Sequence, residues 1–119
     1  MKIVFIASPF RADTTWLRAE NVRHAERAAL AVWKAGACAV CPQANSANLE
    51  GECDEEVFLT GYRALLERCD AVLVAGRESD GVRLEFHAAR RAGIPVFYTV
   101  PEVAIWLSGA VVPANLERP

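Results

Sequence analysis

Residues 70–99 read DAVLVAGRESDGVRLEFHAARRAGIPVFYT, and this stretch decides the fold. Asp70–Ala75 is an apolar, β-branched run, as expected for a strand covered on both faces. Gly76-Arg77-Glu78-Ser79-Asp80-Gly81 is a loop of turn formers. Val82–Ala92 carries apolar residues at helical spacing and is closed by Gly93, a residue suited to a left-handed helix end. Ile94–Thr99 is again strand-like. A strand, a helix and a strand joined by short connections make a right-handed βαβ unit, so the two strands run parallel.

The same alternation extends outward. Lys2–Ala7 is a strand, and Thr15–Ala35 a long helix with Asp13, Thr14 and Thr15 as capping candidates and Gly36 as its stop. Ala37–Cys41 is a strand ended by Pro42, residues 42–53 a polar loop, and Asp54–Arg68 a helix with acids in its first turn, where its dipole favours them. Downstream, Pro101 opens a short helix through Leu107. Residues 1–107 therefore form one domain and 108–119 a tail broken by Gly109, Pro113 and Pro119. The expected architecture is α/β: a doubly wound parallel sheet of four to five strands, a flavodoxin- or Rossmann-like three-layer sandwich with strand order 2-1-3-4. Ligands of such sheets bind outside the carboxyl ends of the strands where the order reverses. The loops Ser8–Asp13 and Gly76–Gly81 meet there.

The 119 residues carry a formal charge of −2 and are 53% apolar. That supports one core and offers no global basic field for nucleic acid or an acidic membrane surface. Arginine far outnumbers lysine, which favours forked recognition of phosphate or carboxylate. The apolar run at Lys2–Ala7 is too short for a signal peptide's core and no stretch would span a bilayer, so a cytoplasmic location is the default expectation. Cys38 and Cys41 have the C-x-x-C spacing but fall in a strand, where residues three apart point to opposite faces. They read as reduced packing thiols; no metal and no cofactor is expected. Trp16, Trp33 and Trp106 read as core or interface residues.

Glu85 is the most informative residue. At about 100° per residue, Arg83, His87, Arg90 and Arg91 mark the solvent face of its helix. Val82, Phe86, Ala88, Ala89 and Ala92 mark the buried face. Glu85 falls near the middle of the buried face, in the first turn, beside the expected crevice. A carboxylate there is either a site residue or a buried acid paired with an arginine. Ser79-Asp80-Gly81 precedes it; backbone N–H groups at a helix start plus a hydroxyl make an anion site, although Ser79 or Asp80 equally suits a plain N-cap. The Gly76–Gly81 spacing lacks the following Lys-Ser/Thr of a P-loop. Ser8, Phe10 and Arg11 offer a hydroxyl, a ring to stack on a base and a guanidinium, or else form an ordinary turn. Arg18 and Asn21 face inward from the first long helix, and Asn21 suits pinning a neighbouring loop. Asp70 sits at the far end of its strand, which suits a structural role. His24 and His87 are given no role.

Together, Phe5–Arg11, Asn21, Ala25, Ala28, Gly36, Pro42, Cys69–Val74, Ser79–Glu85, Ala89 and Gly93–Val96 resemble the nucleoside 2-deoxyribosyltransferase-like superfamily, in its small branch catalogued as a domain of unknown function. The resemblance covers about residues 1–107 and is most specific in Ser79-x-Gly81-x-x-x-Glu85. It implies cleavage or transfer at the N-glycosidic bond of a nucleoside or nucleoside 5′-monophosphate, with Glu85 as nucleophile. It also implies that Ser79 holds a 5′-phosphate with Ser8 and Arg11 as helpers, and that the chain forms a homodimer or larger homo-oligomer. The family's proton-donating Asp is replaced here by Tyr62, so Asp80 becomes the other candidate donor. The alternative is a non-catalytic nucleotide-binding module.

Overall fold

The computed structural model describes residues 1–113; the part of the tail from 114 to 119 lies outside the described residues. The chain runs β1 (Ile3–Ala7), α1 (Thr15–Ala35), β2 (Cys38–Val40), α2 (Pro42–Asn45), α3 (Glu55–Leu66), β3 (Ala71–Val74), α4 (Asp80–Ala92), β4 (Val96–Phe97) and α5 (Val100–Leu107). The four strands form one all-parallel sheet in the order β2-β1-β3-β4. In register, Val4 lies beside Ala71 and Ala7 beside Val74, while Phe5 lies beside Val40 on the other side. The α/β class, the parallel sheet and its order are those expected from the sequence.

Alternation along β1 builds two cores. Val4 and Ile6 turn to one face, where Ala25, Ala29 and Val32 of α1 meet Phe97 and Val103. Phe5 and Ala7 turn to the other, under Leu66 of α3 and Val82, Ala88 and Ala89 of α4. The sheet is thus flanked by α1 and α5 on one face and α3 and α4 on the other. The chain winds outward to opposite sides of the sheet from β1 and β3, and this switch in strand order opens the crevice at their carboxyl ends.

Element ends follow from local chemistry. Thr14 caps α1 through its hydroxyl, and Gly36 closes it at φ 103°. Asp54 caps α3, so that helix is shorter at both ends than its pattern suggests. Thr99 caps α5, its hydroxyl accepting from Glu102 N, and the Glu102 carboxylate accepts from the Thr99 hydroxyl and from Tyr98 N, each at 3.0 Å. Asp70 Oδ2 accepts from Ile3 N at 2.8 Å, which ties the entry of β3 to that of β1.

Several expectations are corrected. The segment 42–53 is not a plain loop: Pro42 starts the one-turn helix α2 and a 3-10 turn follows at Ala47–Leu49. β4 is shorter than Ile94–Thr99, because Ile94 N is engaged by Ala89 O at the end of α4, Pro95 has no N–H, and Thr99 is committed to α5. α4 begins at Asp80 rather than Val82, since Ser79 is its cap. Of the core and interface readings for the tryptophans, the core one fails for Trp16 and Trp33, which are exposed, and holds for Trp106, which packs on Phe97 with ring centroids 5.5 Å apart. Ala92 is exposed, one residue before the helix stop. Cys69 is a core thiol, pushed up to about 11 mainly by burial; Cys38 and Cys41 are half-buried and Cys53 is exposed. Among the described residues, no helix is long and apolar enough to cross a membrane, and no group of three or more His, Cys, Asp or Glu is arranged to hold a metal ion.

Candidate functional site

A cleft of about 840 Å³ opens at the carboxyl ends of β1 and β3, between α3 and α4. Ser8, Phe10, Arg11, Tyr62, Ser79, Asp80, Gly81 and Glu85 all line it. The topology explains the gathering. The loop after β1 supplies Ser8 to Arg11, α3 supplies Tyr62, and the cap and first two turns of α4 supply the rest; Glu85 sits in the second turn rather than the first, because α4 starts at Asp80.

Glu85 is half-buried in the α4 wall. Its carboxyl is pushed up to about 8 from 4.5, and the cause is desolvation by burial. Among the described residues no hydrogen bond or ion pair offsets that cost. The alternative of a buried acid satisfied by an arginine therefore does not describe it: Arg83 instead lies 3.7 Å from Glu78 and 3.6 Å from Asp80. A carboxyl with this environment is mostly protonated at neutral pH and becomes a carboxylate as the pH rises past 8.

Ser8 is buried, and its hydroxyl oxygen has no hydrogen-bond partner among the described residues. An unmet buried hydroxyl on a cleft wall is costly unless something in the cleft meets it. Gln43 holds this wall in place, its amide donating to Ser8 O at 2.7 Å and to Ile6 O at 3.3 Å. Sequence reasoning misses Gln43. Its only signal is a polar residue directly after Pro42, at the carboxyl end of β2.

Ser79 is the cap of α4 and also lines the cleft. Its Oγ accepts from Val82 N at 3.2 Å as the helix cap, and it lines the cleft, so its O–H proton can still be donated. Asp80 lines the rim with a side chain 98% exposed, turned toward Arg83. Asn21 does pin the loop, donating to Phe10 O at 3.2 Å and Arg11 O at 3.3 Å. Arg18 braces the same loop at Ala12 O, 3.2 Å away. Arg11 is exposed and its guanidinium is held by Glu55.

The Tyr62 hydroxyl is occupied. It donates to Ser46 Oγ at 2.7 Å, with Pro42 O a second acceptor at 3.2 Å, and it accepts from Asn45 Nδ2 at 3.1 Å. Two further guanidiniums, Arg63 and Arg77, line the cleft and take part in no ion pair among the described residues. Arg77 follows Gly76, which has φ 90°; a Cβ there would lie 3.0 Å from His24 Nε2. Only glycine fits both the backbone and the space, and His24 thereby shapes the loop that presents Arg77.

No curated protein matches the chain. A family model described as a domain of unknown function (DUF7768) matches residues 2–99.

Proposed function

The chain belongs to the DUF7768 family, and since that family's description assigns no function, we propose one from the cleft: cleavage or transfer at the N-glycosidic bond of a nucleoside or nucleoside 5′-monophosphate, with Glu85 as nucleophile. The observation that carries this reading is the uncompensated Glu85 carboxyl in the wall of a large cleft. The resemblance to the nucleoside 2-deoxyribosyltransferase-like superfamily supplies the substrate class.

Ionised Glu85 attacks C1′ from the face opposite the base. The C1′–N bond breaks, its electron pair stays on the base nitrogen, and the base leaves after taking up a proton. A glycosyl ester on Glu85 results. Water or a second base then attacks C1′, loses its own proton and releases the Glu85 carboxylate. The start of α4 supports a phosphate reading: backbone N–H groups, the Ser79 hydroxyl, and Arg63 and Arg77, which form no ion pair among the described residues, all line the cleft and suit an anion. The Ser8 hydroxyl supplies one more hydrogen bond.

The same site favours a second reading through its proton donors. Tyr62 is committed to Ser46 and Asn45 and Asp80 points to solvent, so neither stands ready to protonate the leaving base. A module that binds a nucleotide without turning it over fits that observation. Incubation with a panel of nucleosides and monophosphates, followed by chromatography for free base, separates the two. Base release that vanishes in Glu85→Gln supports the enzyme; tight binding with no release from any panel member supports the module.

A further inference from the structure

The exposed side of α1 carries a pattern that the cleft does not use. Trp16, Ala19, Arg23, Glu26, Leu30 and Trp33 are all exposed, with Trp16 at 74%, Leu30 at 53% and Trp33 at 51%. Their spacing alternates three and four residues throughout, which is the seam of a helix made to pair with another helix. The order of residue types is also self-complementary on reversal. Read forward, it runs aromatic, small, basic, acidic, large aliphatic, aromatic. Laid antiparallel on a second copy about a twofold axis between His24 and Ala25, Trp16 meets Trp33 of the second copy, Ala19 meets Leu30, and Arg23 meets Glu26. Each contact occurs twice, as an isologous interface requires.

We propose that this face of α1 is a homodimer interface in which the two α1 helices pack antiparallel. Charge complementarity identifies the occupant as a second copy. Arg23 and Glu26 form no ion pair within the chain among the described residues, yet each finds its opposite at the centre of the paired seam. Along the flank, Glu20 and Arg27, both exposed, face each other across the axis in the same register. A small residue opposite a large one lets the backbones approach, and an aromatic pair closes each end. The Trp16 and Trp33 faces, which neither core covers, are thereby buried. This inference does not depend on what the cleft binds.

The test is sedimentation equilibrium on the full chain. The wild type is expected to be dimeric. Glu26→Arg places two arginines opposite two others and should weaken the dimer on the order of a hundredfold; Arg23→Glu does the same with carboxylates. Mixing these two variants restores opposite charges at every central contact and should regenerate a dimer of wild-type strength. Circular dichroism should show both variants folded, since the altered positions are exposed. A wild type that stays monomeric across the accessible concentration range overturns the proposal, as does a Glu26→Arg protein that dimerises like wild type, or two variants that fail to rescue each other.

Discussion

Arg11 and Glu55 form a bidentate pair at the cleft: Arg11 Nε donates to one carboxylate oxygen at 2.6 Å while an Nη of the same guanidinium contacts the other. The pair joins the loop after β1 to the first turn of α3. It also neutralises the arginine that the sequence nominates as a phosphate helper. An incoming anion must compete with Glu55 for it, or be held by Arg63 and Arg77 instead.

Glu55→Gln is therefore expected to tighten binding of a nucleoside monophosphate several-fold, and Arg77→Ala to weaken it. Because the pair is exposed, loss of the Glu55 charge should change stability by less than about 1 kcal/mol. Calorimetric titration with a monophosphate and with its parent nucleoside, each in the presence and absence of sulfate, checks this. Equal affinity for the two ligands with no competition by sulfate counts against a phosphate pocket.

Base release should rise with pH and level off above about 8, because a nucleophile must be ionised and desolvation raises the Glu85 carboxyl to that value in the free cleft. Glu85→Gln keeps the shape, so it should bring release to the background rate while leaving ligand affinity nearly unchanged. A pH–rate profile of kcat/KM on both proteins is the measurement. Wild-type turnover in Glu85→Gln removes Glu85 from the chemistry.

Stability carries the same signature with a definite sign. The folded-state value lies above the unfolded one, so the folded chain holds this proton more tightly. The contribution is fully present below about pH 4.5 and is lost as the pH rises through about 8. Glu85→Gln removes that loss. The variant should match wild type near pH 4 and exceed it above pH 8 by up to a few kcal/mol, given about 1.4 kcal/mol per pKa unit. Urea unfolding at the two pH values tests it; a difference independent of pH would mean that the carboxyl is not held in this desolvated state.

Asp70→Ala should cost about 1–3 kcal/mol, because the Ile3 N–H loses its carboxylate acceptor at the start of β1. Ligand affinity should not move, since Asp70 sits at the opposite end of the strands from the cleft. Urea midpoints paired with a binding titration distinguish this from a site effect.

The fold was legible because its signals are local and mutually consistent. The apolar runs, Gly36 and Gly93 at helix ends, and the acids opening α3 all agree. Glu85 was legible for a related reason: its place on a helix wheel conflicts with its chemistry. Other features depended on pairings that no single segment encodes. Nothing near Tyr62 indicates that Ser46 and Asn45 will occupy its hydroxyl, because α2 is too short to have a readable period. Nothing near Arg11 points to Glu55, which is distant in sequence. For Trp16 and Trp33 the sequence left core and interface both open, because an aromatic residue at helical spacing does not say which surface covers it.

The outer strands of the sheet are its shortest, three residues in β2 and two in β4. A strand that brief leaves few backbone donors and acceptors to recruit a passing extended chain. Templated growth of one sheet onto the next, the usual start of fibrils, has almost no purchase here. When this protein is concentrated, sheet-edge pairing is a poor route to self-association.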